Sequence, residues 1–228
     1  MIMKNNARLL YGLLITVLIF VIATLAGSKV SLNSDFFPKS FLTHSVMLVL
    51  SIVVIVGLKI IVPFRIAWPR FKTILKPAFF GLLTAIVINI LLTALTLATG
   101  GKPEAHPLLE ASTPLQTFLF IFIYASLAEE MLLRGFLQNI LSPLSVRGIR
   151  VFRQKLSLPV IISAVVFGLI HLILLTTGVS GLFVTRIVIF TTVLGLFAGY
   201  YQEKHNNFSY AFVVHMAGNL MGLVAAFM

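Results

Sequence analysis

Seven long runs of apolar residues constrain this chain more than any other feature of its sequence. Each run has about the 20 residues that an α-helix needs to cross roughly 30 Å of hydrocarbon. The runs are too long and continuous for the alternating segments of about 10 residues that build an outer-membrane barrel. The sequence therefore predicts an all-α integral membrane protein, a polytopic helical bundle of about seven transmembrane helices. The runs lie near residues 9–27, 41–62, 74–98, 113–138, 158–177, 181–202 and 208–227.

The composition and the short loops agree with this fold class. Hydrophobic residues make up 59% of the 228 residues and charged residues only 10%, whereas a soluble domain carries about 25% charged residues. No loop is long enough for a separate domain, so we expect residues 1–228 to form a single transmembrane domain. The first run is longer than the apolar part of a usual signal peptide, which favours an uncleaved helix. The absence of cysteine excludes thiolate metal ligands and a cysteine nucleophile.

Lysine and arginine are concentrated in alternate loops. This pattern predicts a cytoplasmic N-terminus and an external C-terminus by the positive-inside rule. It also explains the net charge of +11 through contact with anionic lipid headgroups, so that lipids are an expected partner and nucleic acid is not. The intervening loops hold only Lys29, Lys39 and Lys102. The basic positions are Lys4, Arg8, Lys59, Arg65, Arg70, Lys72, Lys76, Arg147, Arg150, Arg153, Lys155 and Lys204.

The few ionisable side chains inside the apolar runs are the first candidates for function, because such groups are costly unless they are paired or face a cavity. Glu130 and Arg134 are spaced i,i+4, so they share a helix face and can pair. Glu129 is rotated by about 100° from Glu130 and is the acid left over. In a cavity it could act as a base. The alternative is a structural clamp in which Arg134 bridges both acids. The remaining polar residues of the runs are Asn89, His171, Arg186, His215 and Asn219.

His171 and His215 lie in the fifth and seventh runs, at about the depth of Glu129. Taken singly, each is typical of packing or of hydrogen bonding between helices. Asn219 follows His215 at i+4, on the same helix face. Together these residues supply a base, two imidazoles and an amide at one depth, a combination that suits activation of water and stabilisation of an oxyanion.

A serine-protease arrangement is the competing interpretation of the histidine helix. The stretch Gly178-Val179-Ser180-Gly181 matches the serine motif of rhomboid proteases. Ser180 begins the sixth run at its outer end, however, and His215 lies near the middle of its own run. A Ser–His hydrogen bond is therefore not expected, and we predict a tight outer turn at this stretch.

Three short motifs occur in order, each in its own apolar run. Their combination resembles the CPBP (Abi) family of intramembrane proteases, which includes the type II CaaX prenyl endopeptidases and proteins linked to bacteriocin self-immunity. The resemblance covers about residues 115–222 and leaves the spans within residues 1–100 as a variable region. The motifs are Glu-Glu-x-x-x-Arg at Glu129, Glu130 and Arg134, Phe-x-x-x-His at Phe167 and His171, and His-x-x-x-Asn at His215 and Asn219.

The resemblance implies an endopeptidase that acts on a membrane-associated, lipidated or short peptide. It also implies a site that opens toward the cytoplasmic half of the membrane, and a bacterial cell membrane as the location. The implied roles are a general base at Glu129, a water-positioning ring at His171, an oxyanion site at His215 and Asn219, and support from Glu130, Arg134 and Phe167.

The resemblance leaves metal dependence open. In one form Glu129, His171 and His215 bind zinc, with water as the fourth ligand; in the other the glutamate acts without a metal. A non-enzymatic alternative uses the same cluster in a bacteriocin-immunity protein or a proton-coupled transporter. The chain shows no internal repeat of the kind common in transporters.

Overall fold

The computed structural model describes residues 4–30, 32–104, 106, 111–151 and 153–226. Over these residues the predicted all-α membrane fold is confirmed, with a bundle of helices and one short β-hairpin. We number the seven main helices in chain order. They are α1 (Asn5–Lys29), α2 (Ser40–Gly57), α3 (Phe71–Ala98), α4 (Pro114–Gln138), α5 (Leu158–Ile170), α6 (Gly181–His205) and α7 (Ser209–Ala226).

In the part of the chain that the structure describes, six helices are long and apolar enough to cross a membrane, counting α5 together with the 3₁₀ turns His171–Thr177 that extend it. The seventh predicted span corresponds to α7, which is apolar but shorter. The boundaries also differ from the expected ones, since α2 ends at Gly57 rather than near residue 62 and α3 begins at Phe71.

Helix α4 contains two π-helical segments. The segments Thr117–Ala125 and Met131–Gln138 are π-helical, and the five residues Ser126–Glu130 between them are α-helical. The helix begins with a capping box between Thr113 and Gln116, which satisfies backbone donors at its first turn. Departures into π-helix are rare and often occur at functional sites. Here they flank the two acids of the first motif.

Small residues allow close contact between helices, as is common in membrane bundles. A Cβ atom at Gly81 of α3 would clash with the backbone carbonyl of Val214 in α7. A Cβ atom at Gly168 of α5 would clash with the side chain of Thr192 in α6. These glycines bring α3 against α7 and α5 against α6, so the helices that carry the second and third motifs each pack closely against a neighbouring helix.

The main hydrophobic core lies along the C-terminal half of α4, where it packs against α1 and α2. Its residues are almost completely inaccessible and continue into the turn that follows the helix. The α4 members are Leu132, Leu133, Phe136 and Leu137, followed by Ile140 and Leu141.

A β-hairpin connects α4 to α5. Strand β1 (Gly148–Val151) pairs antiparallel with strand β2 (Gln154–Ser157). Ser157 then caps α5 by accepting a hydrogen bond from the backbone N–H of Val160, and its hydroxyl donates to the carboxylate of Glu203 near the end of α6. The hairpin is therefore tied to the end of the bundle at which α6 finishes.

Candidate active site

The two acids of the first motif have different surroundings. Glu130 is fully buried, whereas the side chain of Glu129 keeps 18% of its surface exposed and lines a cavity. Nη1 of Arg134 donates a hydrogen bond of 2.9 Å to Oε1 of Glu130, so the predicted i,i+4 pair is present. The clamp in which Arg134 bridges both acids is not formed, because Arg134 bonds to Glu130 and Glu129 contacts imidazole nitrogens instead.

His215 joins the buried pair. Its Nδ1 lies 2.8 Å from Oε1 of Glu130. Since a carboxylate only accepts hydrogen bonds, Nδ1 carries the proton. The other ring nitrogen, Nε2, lies 3.7 Å from Oε2 of Glu129. His215 therefore lies between the two acids, with one nitrogen on the buried carboxylate and the other toward the exposed one.

The guanidinium of Arg134 is enclosed by its neighbours. It lies 4.7 Å from the centre of the Phe167 ring, in cation–π contact. Gly195 of α6 approaches it so closely that a Cβ atom there would clash with Nη2. Phe167 also contacts the His215 ring, with centroids 5.3 Å apart. Glu130, Arg134 and Phe167 thus form a fully buried layer behind the cavity.

His171 lies at the point where α5 becomes a 3₁₀-helix. Its Nδ1 is 2.8 Å from the backbone carbonyl of Phe167. A carbonyl only accepts, so in the neutral ring Nδ1 carries the proton and Nε2 is the acceptor. The ring lines the same cavity as Glu129.

Asn219 lies one turn beyond His215 on α7 and also lines the cavity. Its Nδ2 donates a hydrogen bond of 3.0 Å to the hydroxyl of Ser126, one turn before Glu129 and Glu130 on α4. This bond fixes the orientation of the amide and uses one of its two N–H groups.

The cavity has a volume of about 390 Å³. All four residues predicted to be catalytic line it, namely Glu129, His171, His215 and Asn219. Asn89 and Arg186, the other polar residues singled out in the apolar runs, line it as well. His106, from the segment before α4, is a further lining residue. Burial lowers the pKa of its imidazole to about 4, so the ring is neutral at pH 7.

His44 is a site residue that the sequence analysis missed. It lies in the first turns of α2 and is buried, and its Nε2 is 3.5 Å from Oε1 of Glu129. Its Nδ1 is buried and has no hydrogen-bond partner among the described residues. No motif marks this histidine, and the available signal was its place inside the second apolar run, between Phe41 and Met47.

The rhomboid-like stretch is a turn at the end of the bundle. Gly178 has a φ of 85°, in the left-handed region that favours glycine. Ser180 caps α6, since its hydroxyl accepts from the backbone N–H of Phe183. Its own N–H donates to the carboxylate of Glu104, whose pKa is lowered by this contact. Ser180 is absent from the lining of the cavity that contains His215.

The arrangement of side chains does not fit a zinc site. Within the described ranges, no group of three or more His, Asp or Glu residues is placed to bind a metal ion. The candidate ligands Glu129, His171 and His215 are therefore not arranged as a zinc site.

Comparison with known proteins identifies a family for the region that carries the site. Residues 111–221, just under half of the chain, match the family model described as type II CAAX prenyl endopeptidase Rce1-like. Neither the curated proteins nor the solved structures gave a match. The matched region contains all three motifs and leaves out His44. The predicted resemblance is confirmed, since residues 111–221 are similar to the Rce1-like family of type II CAAX prenyl endopeptidases.

Proposed function

We propose that this protein is an intramembrane endopeptidase in which Glu129 activates the water that attacks a peptide bond. The observation that carries the proposal is the shared cavity, which brings Glu129, His171, His215 and Asn219 to one space. A base, two imidazoles and an amide around one space suit peptide hydrolysis. The family match adds CAAX-type intramembrane endopeptidase activity in general.

In the first step, the water oxygen forms a bond to the substrate carbonyl carbon while Glu129 takes a proton from the water. The carbonyl π electrons move onto oxygen and give a tetrahedral oxyanion. His171 can orient the water, because its Nδ1 is committed to the carbonyl of Phe167 and its Nε2 is left to accept a hydrogen bond.

The oxyanion requires hydrogen-bond donors. Asn219 supplies the second hydrogen of its amide, since the first is bonded to Ser126. Nε2 of His215 can donate only when the ring carries both protons. That charge is balanced in the cluster, because a doubly protonated His215 and Arg134 together neutralise the carboxylates of Glu129 and Glu130.

In the second step, the carbon–nitrogen bond breaks as the oxyanion collapses to the new carboxyl group. Glu129 returns its proton to the departing amine and is ready for another water. The same carboxylate thus serves first as base and then as acid.

We place the catalytic core in residues 115–222. We propose that its substrates are membrane-associated or lipidated peptides and that the protein lies in a bacterial cell membrane. The support is the family match over residues 111–221 and the apolar side chains in the cavity wall, among them Ile121, Phe122 and Phe190.

The test uses purified protein and a set of quenched fluorogenic peptides, with and without a C-terminal prenylated cysteine, in water enriched in ¹⁸O. We expect cleavage with one ¹⁸O atom in each new carboxyl group, and loss of cleavage in a His171→Ala, His215→Ala double variant. If that double variant binds or transports the peptides as well as the wild type and no cleavage occurs in either, the non-enzymatic alternative is favoured.

A further inference from the structure

The cavity that contains Glu129 extends toward one end of the bundle. Along α4 its lining runs from Glu129 back to Thr117, near the start of the helix. Along α6 it begins at Arg186, five residues after the helix start, and ends at Thr191. Along α7 it runs from His215 to Leu223, toward the C-terminus. On all three helices the lining residues extend toward the same end of the bundle, which we call the open end.

The other end is closed beneath Glu129. Glu130 and Arg134 follow Glu129 on α4, and both side chains are fully buried. Beyond them come the completely buried core residues Phe136, Leu137 and Ile140. We call this side of the bundle the closed end, because none of the described residues that line this cavity lies between these core residues and the loop after α4.

Hydrogen bonds between loops show which loops share each end. At the closed end, the N–H of Phe208 donates to the carbonyl of Arg65, and Arg8 donates to the carbonyl of Ile140. At the open end, Gln116 donates to the carbonyl of Asp35. The open end also contains the contact between Glu104 and Ser180. The loops therefore fall into two sets that alternate along the chain.

The two ends differ strongly in charge. In the sequence, the loops of the open end hold only Lys29, Lys39 and Lys102 among the lysines and arginines, accompanied by Asp35 and Glu104. Cytoplasmic loops carry the excess of Lys and Arg, so the closed end faces the cytoplasm. The closed end carries twelve of the 17 lysines and arginines, namely Lys4, Arg8, Lys59, Arg65, Arg70, Lys72, Lys76, Arg147, Arg150, Arg153, Lys155 and Lys204.

We propose that substrates reach Glu129 from the extracytoplasmic face of the membrane, and that they are peptide segments of exported or membrane proteins presented on that face. The assignment of these segments as substrates rests on the proposed hydrolytic function; the direction of access does not. This direction is opposite to the cytoplasmic opening that the family resemblance implies.

The wall of the open end indicates what such a segment contains. Ile121, Phe122, Ile187 and Phe190 provide apolar contacts. Arg186 lies beside them, and its Nε is buried with no hydrogen-bond partner among the described residues. An apolar segment with a carboxylate oxygen near the cationic guanidinium of Arg186 would complement this wall.

Single cysteines test the direction of access, because the native chain has none. We would place Ile121→Cys and Ile187→Cys in the cavity wall. Phe118→Cys is the matched control for depth, since Phe118 lies one turn nearer the open end of α4, is exposed on the outside of the bundle and does not line the cavity. Lys102→Cys and Arg150→Cys report the two faces. The probe is a membrane-impermeant cationic methanethiosulfonate, applied to right-side-out and inside-out vesicles.

We expect both cavity cysteines to react from the face at which Lys102→Cys reacts, at least about tenfold faster than Phe118→Cys, and Arg150→Cys to react only from the cytoplasmic face. The two cavity variants lie on different helices, so one remains informative if the other fails to fold. Reaction of the cavity cysteines only from the cytoplasmic face, or from neither face, would overturn the proposal. Reaction of Lys102→Cys from the cytoplasmic face would also overturn the proposal. Labelling needs no catalysis, so this result is independent of whether the protein hydrolyses peptides.

Discussion

Nε2 of His44 lies 3.5 Å from Oε1 of Glu129, so a helix outside the family-matched region contributes directly to the surroundings of the proposed base. His215 approaches the other carboxylate oxygen at 3.7 Å. Glu129 is therefore held from both sides by imidazoles, one from α2 and one from α7. Helix α2, which precedes the family-matched region, thus forms part of the surroundings of Glu129.

We predict that His44→Ala lowers kcat by about 10-fold to 100-fold with little change in KM, because loss of the imidazole 3.5 Å from Oε1 of Glu129 leaves the proposed base less well oriented. His44→Gln should recover part of the loss, since its amide can still donate to Glu129. Steady-state kinetics on the purified variants measures both values. Wild-type kcat in His44→Ala would show that this contact does not position the base.

The buried ion pair gives a prediction about stability. Arg134→Met leaves the carboxylate of Glu130 buried without its cation, which typically costs 3–5 kcal/mol. We expect a large drop in Tm by thermal unfolding in detergent. The double variant Glu130→Gln, Arg134→Met removes both charges and should regain part of that Tm. A double variant less stable than Arg134→Met alone would contradict this account of the pair.

Gly195 offers a steric test of the same layer. Gly195→Ala places a methyl group against Nη2 of Arg134 and against Ala164 of α5. We expect a lower Tm and lower activity, because the guanidinium must move away from Glu130 or α6 must move away from α5. Gly181→Ala, at the start of the same helix, is the matched control, since a Cβ atom there meets nothing within 4 Å. Equal effects of the two substitutions would rule out the clash as the cause.

Asn219 and Ser126 allow catalysis to be separated from positioning. Asn219→Ala removes a proposed oxyanion donor and should lower kcat by about 10²–10³-fold. Ser126→Ala removes only the acceptor that orients the amide, a neutral hydrogen bond of about 0.5–1.5 kcal/mol, so we expect a loss of about 2-fold to 10-fold. The comparison is made at saturating substrate. A larger loss in Ser126→Ala than in Asn219→Ala would reverse these roles.

Local geometry explains which parts of the fold and site could be predicted from the sequence. The apolar runs fix the helices because spanning length is a property of a single segment. The Glu130–Arg134 pair follows from i,i+4 spacing within one helix. The common depth of Glu129, His171 and His215 follows from counting residues within each run.

Contacts between distant segments could not be predicted in this way. His44 contacts Glu129 only because α2 packs beside the middle of α4. Neither stretch of sequence contains a pattern that predicts this packing. The bond from His215 to Glu130 likewise depends on how α7 is rotated. The direction of the cavity within the bundle depends on the large side chains of α4 that fill one end, and the opening that we propose is opposite to the one that the family resemblance implies.

The central claim is that Glu129 takes the proton from the attacking water, and the most direct test is the cleavage rate of purified Glu129→Gln. Glutamine keeps the size of the side chain but cannot accept that proton, so we predict a loss of about 10²–10⁴-fold in kcat. Asp35→Asn, which neutralises an exposed acid away from the cavity, should cleave at the wild-type rate. Cleavage by Glu129→Gln at the wild-type rate would contradict the account.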